Sequence, residues 1–141
     1  MNARNLLLGL LLLSAQVLAA PPLAEQAWIR VLPGDLPLAG YLVLRNRGDH
    51  ALTLTGAHSA FFGEIEMHQS RSESGVARMV RLKRIAIPPG GRLVFAPGNY
   101  HLMMFERTRP LQQGDQVPVT LEFDDGYQLP VTFAVRESTA Q

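Results

Sequence analysis

Four side chains of this 141-residue chain have the types and spacing to do chemistry together: His68, Met79, His101 and Met103. Imidazole and thioether are neutral donors, and thioether is soft, so such a set suits a soft metal ion. In His101-Leu102-Met103-Met104-Phe105, a strand period of two puts His101 and Met103 on one face. Leu102 and Met104 take the other. Two donor atoms from one strand can then point at one ion. The turn Pro97-Gly98-Asn99 places His101 near the start of that strand. In Glu64-Ile65-Glu66-Met67-His68, Ile65 and Met67 share the apolar face, so Met67 reads as core. Glu64, Glu66 and His68 share the polar face, and the two carboxylates read as solvated charges. The polar stretch Gln69–Gly75 reads as a loop across which Met79 returns beside His68.

Each of these residues alone has an ordinary explanation, because Met packs cores and His near a turn is commonly solvated. The combination is different. His, then Met at +11, His at +33 and Met at +35 arises by chance on the order of once in ten thousand chains of this composition. The other histidines read as bland: His50 in a turn, His58 in a loop. Arg78, Arg81, Lys83 and Arg84 read as a solvated strand face, with docking of an acidic partner as the functional alternative.

The elements that must position these residues are short strands. Turn signals fall at Pro33-Gly34-Asp35, Asn46–Asp49, Glu73-Ser74-Gly75, Pro88–Gly91, Pro97-Gly98-Asn99, Gln113-Gly114-Asp115 and Asp124-Asp125-Gly126. Between them, strands are expected over Trp28–Leu32, Tyr41–Arg45, Leu52–Thr55, Glu64–His68, Ala77–Lys83, Leu93–Phe95, His101–Phe105, Val117–Phe123 and Tyr127–Val135. The last two form a hairpin. No long stretch keeps a 3.6 period without a breaker, so little helix is expected. The pattern predicts an all-β fold of about eight to nine strands, a two-sheet β-sandwich or Greek-key barrel.

Composition narrows the function classes. There is no cysteine, which excludes disulfides, thiolate zinc sites, iron–sulfur clusters and a cysteine nucleophile. Blue-copper thiolate ligation is excluded too. Residues 1–20, with Arg4 ahead of the run Leu6–Leu13 and small residues up to Ala20, read as a cleavable export signal, cut after Ala19 or Ala20. The remaining 121 residues carry 12 basic and 12 acidic side chains. That balance argues against nucleic acid as a partner. Residues 21–141 read as one domain, with its core over 28–135. It is expected to be monomeric, soluble and without stable membrane insertion once the signal is cut. No hydrolase elbow, P-loop, dinucleotide loop or H-E-x-x-H motif is present.

The spacing His68, ten residues, Met79, twenty-one residues, His101, Leu102, Met103 resembles that of the periplasmic copper chaperones of the PCuAC family. Further resemblance lies in Ala27-Trp28-Ile29-Arg30, Tyr41–Asn46, Ile87–Gly91, Pro97–His101 and Gly114–Val119, so it covers roughly Trp28 to Val135. It implies a cupredoxin-like β-sandwich that binds one Cu(I) per chain and helps supply copper to cytochrome c oxidase. It also implies the oxidase's copper-site subunit as a partner, and a Sco-type thioredoxin-like chaperone as a second candidate. Some family members carry a His- and Met-rich tail; here the tail Arg136–Gln141 has neither residue.

The chemistry of the residues agrees independently. Cu(I) favours thioether with imidazole, whereas Zn(II) gains little from Met. Thioethers form no disulfides, so the set stays usable in an oxidising compartment such as the periplasm. The expectation is a copper chaperone and not an enzyme, releasing its metal by ligand exchange. The alternative is an exported β-sandwich adhesion or assembly module with an incidental His/Met set.

Overall fold

The computed structural model describes residues 20–138. The expected export segment, apart from Ala20, lies outside the described residues. Ten strands follow in order: β1 (Leu23–Val31), β2 (Leu38–Arg45), β3 (Leu52–His58), β4 (Phe62–Glu73), β5 (Val76–Leu82), β6 (Ile85–Ile87), β7 (Arg92–Phe95), β8 (Tyr100–Arg107), β9 (Gln116–Phe123) and β10 (Gln128–Glu137). The described residues include no helix. The all-β expectation therefore holds, with one strand more than the sequence suggested.

All ten strands are hydrogen-bonded in the order β5-β4-β8-β7-β2-β1-β10-β9-β3-β6. That single sheet is not flat. β3 and β4 are joined by only Ser59-Ala60-Phe61 yet stand seven places apart in the ladder. A flat sheet would separate them by roughly 34 Å, and four residue steps reach only about 14 Å. The sheet must roll over, and its inner face closes on one core. β9 buries Val117, Val119, Leu121 and Phe123 on alternate positions. From the other arm β2 supplies Leu38, Leu42 and Leu44, and β8 supplies Leu102 and Met104. Gly40 makes room where β2 meets β8: a Cβ there would lie 2.6 Å from the Met104 methyl carbon, so that buried side chain would have to shift.

Several boundaries differ from the sequence reading, each for a local reason. β1 begins five residues early, because Gln26 adopts φ 54° and the register shifts between Glu25 and Trp28. A bulge of this kind breaks the alternation that a period-two count relies on. β3 runs on through Gly56 to His58 past a second register shift. His58 is thus a strand-end residue, paired with Glu122 at 2.8 Å, and not a loop residue. β6 was hidden by its length and by the Pro88-Pro89 that follows it.

The largest difference is in β4 and β5. The stretch read as a loop is mostly ladder: Gln69 to Glu73 pair with Val80 to Val76, and the chain reverses at Ser74-Gly75, both with positive φ. A two-residue turn with both φ positive matches the strand twist. The arms around it are polar and largely exposed on both faces, so no inside–outside alternation marks them as strand.

Candidate metal centre

The site lies on the outer face of the rolled sheet, across β5, β4 and β8. In β2 the core-facing positions are Leu38, Gly40, Leu42 and Leu44, so Ala39 and Tyr41 face outward. Residues directly opposite in a ladder share a face. Ala39 is opposite Met103, Met103 opposite Glu66, His101 opposite His68, and Met79 opposite Ser70. All four expected site residues therefore share that outer face. Met67, Leu102 and Met104 are buried on the inner one.

Their depths differ. His101 is 4% exposed, Met103 is half-buried and Met79 is 63% exposed. Met79, His101 and Met103 line one open cavity of about 260 Å³, together with Tyr41 and Arg30. His68 stands beside that cavity and not in its lining. Its ring meets the His101 ring edge-on, with centroids 5.5 Å apart, and lies 6.4 Å from the Phe105 ring. Met79 does not sit beside His68 in register, since Arg81 occupies the position opposite His68.

The turn before β8 sets His101. Ala96 N–H donates to Tyr100 O, and Asn99 N–H donates to Ala96 O, each at 3.0 Å. The Asn99 carbonyl then accepts from Ser70 N–H at 3.1 Å and faces His101 Nδ1 at 3.3 Å. A carbonyl can only accept, so Nδ1 carries the proton and Nε2 keeps a lone pair. His68 is fixed the other way round. Its Nε2 lies 2.6 Å from Glu66 Oε2, so that nitrogen donates to the carboxylate, and in the neutral ring Nδ1 then keeps the lone pair. Both lone-pair nitrogens, His68 Nδ1 and His101 Nε2, are buried without a hydrogen-bond partner. Buried polar atoms left this way are uncommon and costly.

Burial holds the His101 pKa below the usual imidazole range; the hydrogen bond to Asn99 opposes this and the nearby His68 reinforces it. The hydrogen bond from His68 holds the Glu66 carboxyl below its ordinary range, with Arg81 adding to the effect. Neutral His101 is the form that can donate a lone pair to a metal.

Glu66 corrects the sequence reading. It is not a solvated charge: its side chain is 13% exposed, bonded to His68 and to Arg81 Nη1 at 2.9 Å. Its position two residues before His68, on the same face, was the available signal. Glu64 does remain exposed, 3.6 Å from Arg81. The basic cluster is also largely paired, with Arg78 near Glu73 at 3.7 Å and Arg84 on Asp124 at 3.0 Å. Among the described residues no group of three or more His, Asp or Glu side chains is placed to hold a metal. The other soft donors beside this pair of imidazoles are the thioethers of Met79 and Met103.

Comparison with known proteins gives a consistent picture. Residues 23–135 match the family described as "Putative lipoprotein LpqE-like". The chain is 30% identical over 114 residues to "Putative lipoprotein Lxx21020" of Leifsonia xyli, covering 80% of this chain and 68% of that one. It is 33% identical over 98 residues to "Uncharacterized protein RP573" of Rickettsia prowazekii, covering 69% of this chain and 54%, about half, of that longer protein. Among solved structures, the copper-bound PCuAC domain from PmoF2 shares the fold, with a TM-score of 0.71 at 24% identity over 85% of this chain and 96% of that one. The Cu(I) form of DR1885 from Deinococcus radiodurans is similar at 29% identity and a TM-score of 0.69, over 89% of this chain and 85% of that one. On the family match, the relatives and the shared fold together, the chain belongs to the LpqE-like family, the family of the PCuAC domains.

Proposed function

We propose that this protein is a Cu(I) carrier of an exported compartment, the periplasm, and that His68, Met79, His101 and Met103 are its ligands, one ion per chain. The observation that carries the reading is the pair of buried, unpartnered imidazole nitrogens, His68 Nδ1 and His101 Nε2, on adjacent rings. A lone pair kept dry and unbonded costs stability unless something binds it. Met103 on the same strand face and Met79 across the cavity supply the soft donors that favour Cu(I) over Zn(II). The Cu(I) form of the similar DR1885 supports the same choice.

The gradient of depth suits transfer. Met79, the most exposed of the four, is the ligand that an acceptor's side chain can displace first; His101, the deepest, holds the ion until last. Exchange one ligand at a time avoids releasing a free ion. Copper is cargo here and the protein performs no chemical conversion on it. The recipient in this reading is a copper-site subunit of cytochrome c oxidase, with a Sco-type thioredoxin-like chaperone as the other candidate. Residues 1–20 act as the export signal, and residues 21–141 are the working domain. Titration with Cu(I) under reducing conditions, against a competing chelator, tests it. Binding of one Cu(I) per chain, lost in His101→Ala and much tighter than Zn(II), is expected; tighter zinc than Cu(I) binding would overturn it.

A further inference from the structure

The Cu(I) reading leaves two charged groups beside His68, Glu66 and Arg81, without a task. Glu66 Oε2 is 2.6 Å from His68 Nε2, its other oxygen is 2.9 Å from Arg81 Nη1, and Arg81 stands directly opposite His68 in the β4–β5 ladder. The arrangement is directional. Arg81 holds one carboxylate oxygen, the other faces His68, and the imidazole is left with its free lone pair on Nδ1.

We infer that Glu66, steadied by Arg81, is a positioning residue that fixes His68 with its proton on Nε2 and presents Nδ1 to the cargo. The assignment rests on the Cu(I) reading for its purpose, but not for its geometry. Three observations converge on it. Glu66 is largely buried on its strand face. A carboxylate accepts and cannot donate, so its contact with Nε2 admits only one tautomer of neutral His68. The ring is wedged between those of His101 and Phe105, so rotation to exchange the two nitrogens would break the contact with Glu66 and disturb both neighbours. A carboxylate bonded behind a ligating imidazole also raises its basicity, and loss of such a partner costs metal affinity about 10–100-fold. His101 has a weaker counterpart in the Asn99 carbonyl at 3.3 Å, so the two imidazoles are not equivalent. His68 is backed by a negative charge and His101 by a neutral dipole.

The test uses the full exported domain, residues 21–141, with 15N-labelled histidine. In the metal-free wild type, long-range 1H–15N spectra should show His68 with a proton on Nε2, protected from exchange with water, and an unprotonated Nδ1. Glu66→Ala should lose that protected proton and weaken Cu(I) binding about 10–100-fold. Glu66→Gln keeps a carbonyl acceptor without the charge, so it should retain the protected proton with a smaller loss of affinity. It also covers the case in which the alanine variant folds poorly. Arg81→Gln should weaken binding least. A wild-type His68 protonated on Nδ1, or a Glu66→Gln protein with unchanged affinity and an unchanged His68 spectrum in Glu66→Ala, overturns the inference. Absence of Cu(I) binding in a wild type that does show the protected proton overturns the carrier reading and leaves the positioning geometry standing.

Discussion

Among the described residues two polar side chains, Asn46 and His101, are buried almost completely, and they are handled in opposite ways. Asn46 is 1% exposed, and its side chain is satisfied on every side. Nδ2 donates to His50 O at 2.7 Å and to Ile87 O at 3.1 Å, and Oδ1 accepts from Gly48 N–H at 3.0 Å. His101 is 4% exposed, yet its Nε2 has no partner, and neither has Nδ1 of the neighbouring His68. The first pattern is that of a structural pin, tying the turn after β2 to the end of β6. The second is that of a site kept ready for something else. The contrast teaches that burial of a polar group alone does not single out a candidate site; burial with an unsatisfied ring nitrogen does.

The comparison can be broken most severely through the core beneath the site. Met104→Ala should cost about 2–5 kcal/mol in a urea melt, as truncation of a buried Met does, while Met103→Ala on the outer face costs little and weakens Cu(I) binding. If the two variants exchanged roles, the strand register at the site would be wrong. Asn46→Ala should cost about 2–4 kcal/mol, since three hydrogen bonds go and the Ile87 carbonyl loses its partner. Its Cu(I) affinity should stay at the wild-type value.

Copper sharpens the same contrast. At a free Cu(I) concentration a hundred times the Kd, the wild type should gain about 2.7 kcal/mol of stability. Asn46→Ala should keep that increment and His101→Ala should lose it, read from chemical melts with and without the ion. A His101→Ala protein that still gained it would remove His101 from the site.

Acid gives a smaller effect. The unfolded chain takes up a proton at His101 near the ordinary value of about 6.5, whereas burial holds the folded His101 pKa lower. Stability from this group is therefore complete above about pH 6.5 and declines as pH falls below it. Glu66, lowered from a carboxylate value, contributes in the same sense but only at more acid pH. Metal-free melts between pH 7 and 5 should show the decline, and His101→Ala should flatten it; an equal slope in the variant would contradict the assignment. The smallest stability effect belongs to Met79→Ala, within about 0.5 kcal/mol because the side chain is exposed, although Cu(I) affinity should fall measurably.

Much of the site was legible in the chain. Alternation along His101–Phe105 separated Met103 from Met104, and along Glu64–His68 it separated His68 from Met67; the burial of Met67 and Met104 agrees with both. The β4–β5 ladder was not legible, since neither face of its outer part is buried and no hydrophobic period survives there. For Glu66 the chain offered only its place two residues before His68 on the same face, not the contact itself. A carboxylate on a polar strand face looks the same in sequence whether water or an imidazole meets it.

What the sequence determined by itself was local: strand faces, turns marked by Gly and Pro, the absence of cysteine, and a His/Met spacing whose donor types suit a soft ion. Period two and turn chemistry act over a few residues, so one chain suffices to read them. What only the tertiary structure decided was the meeting of distant strands. It set His68 against His101 across β4 and β8, placed Met79 opposite Ser70, two pairs along from His68, and brought Arg81 round to Glu66. Those outcomes depend on ladder register and on how the sheet rolls over its core. Both are set by the packing of all ten strands at once, and no short window of sequence contains that information.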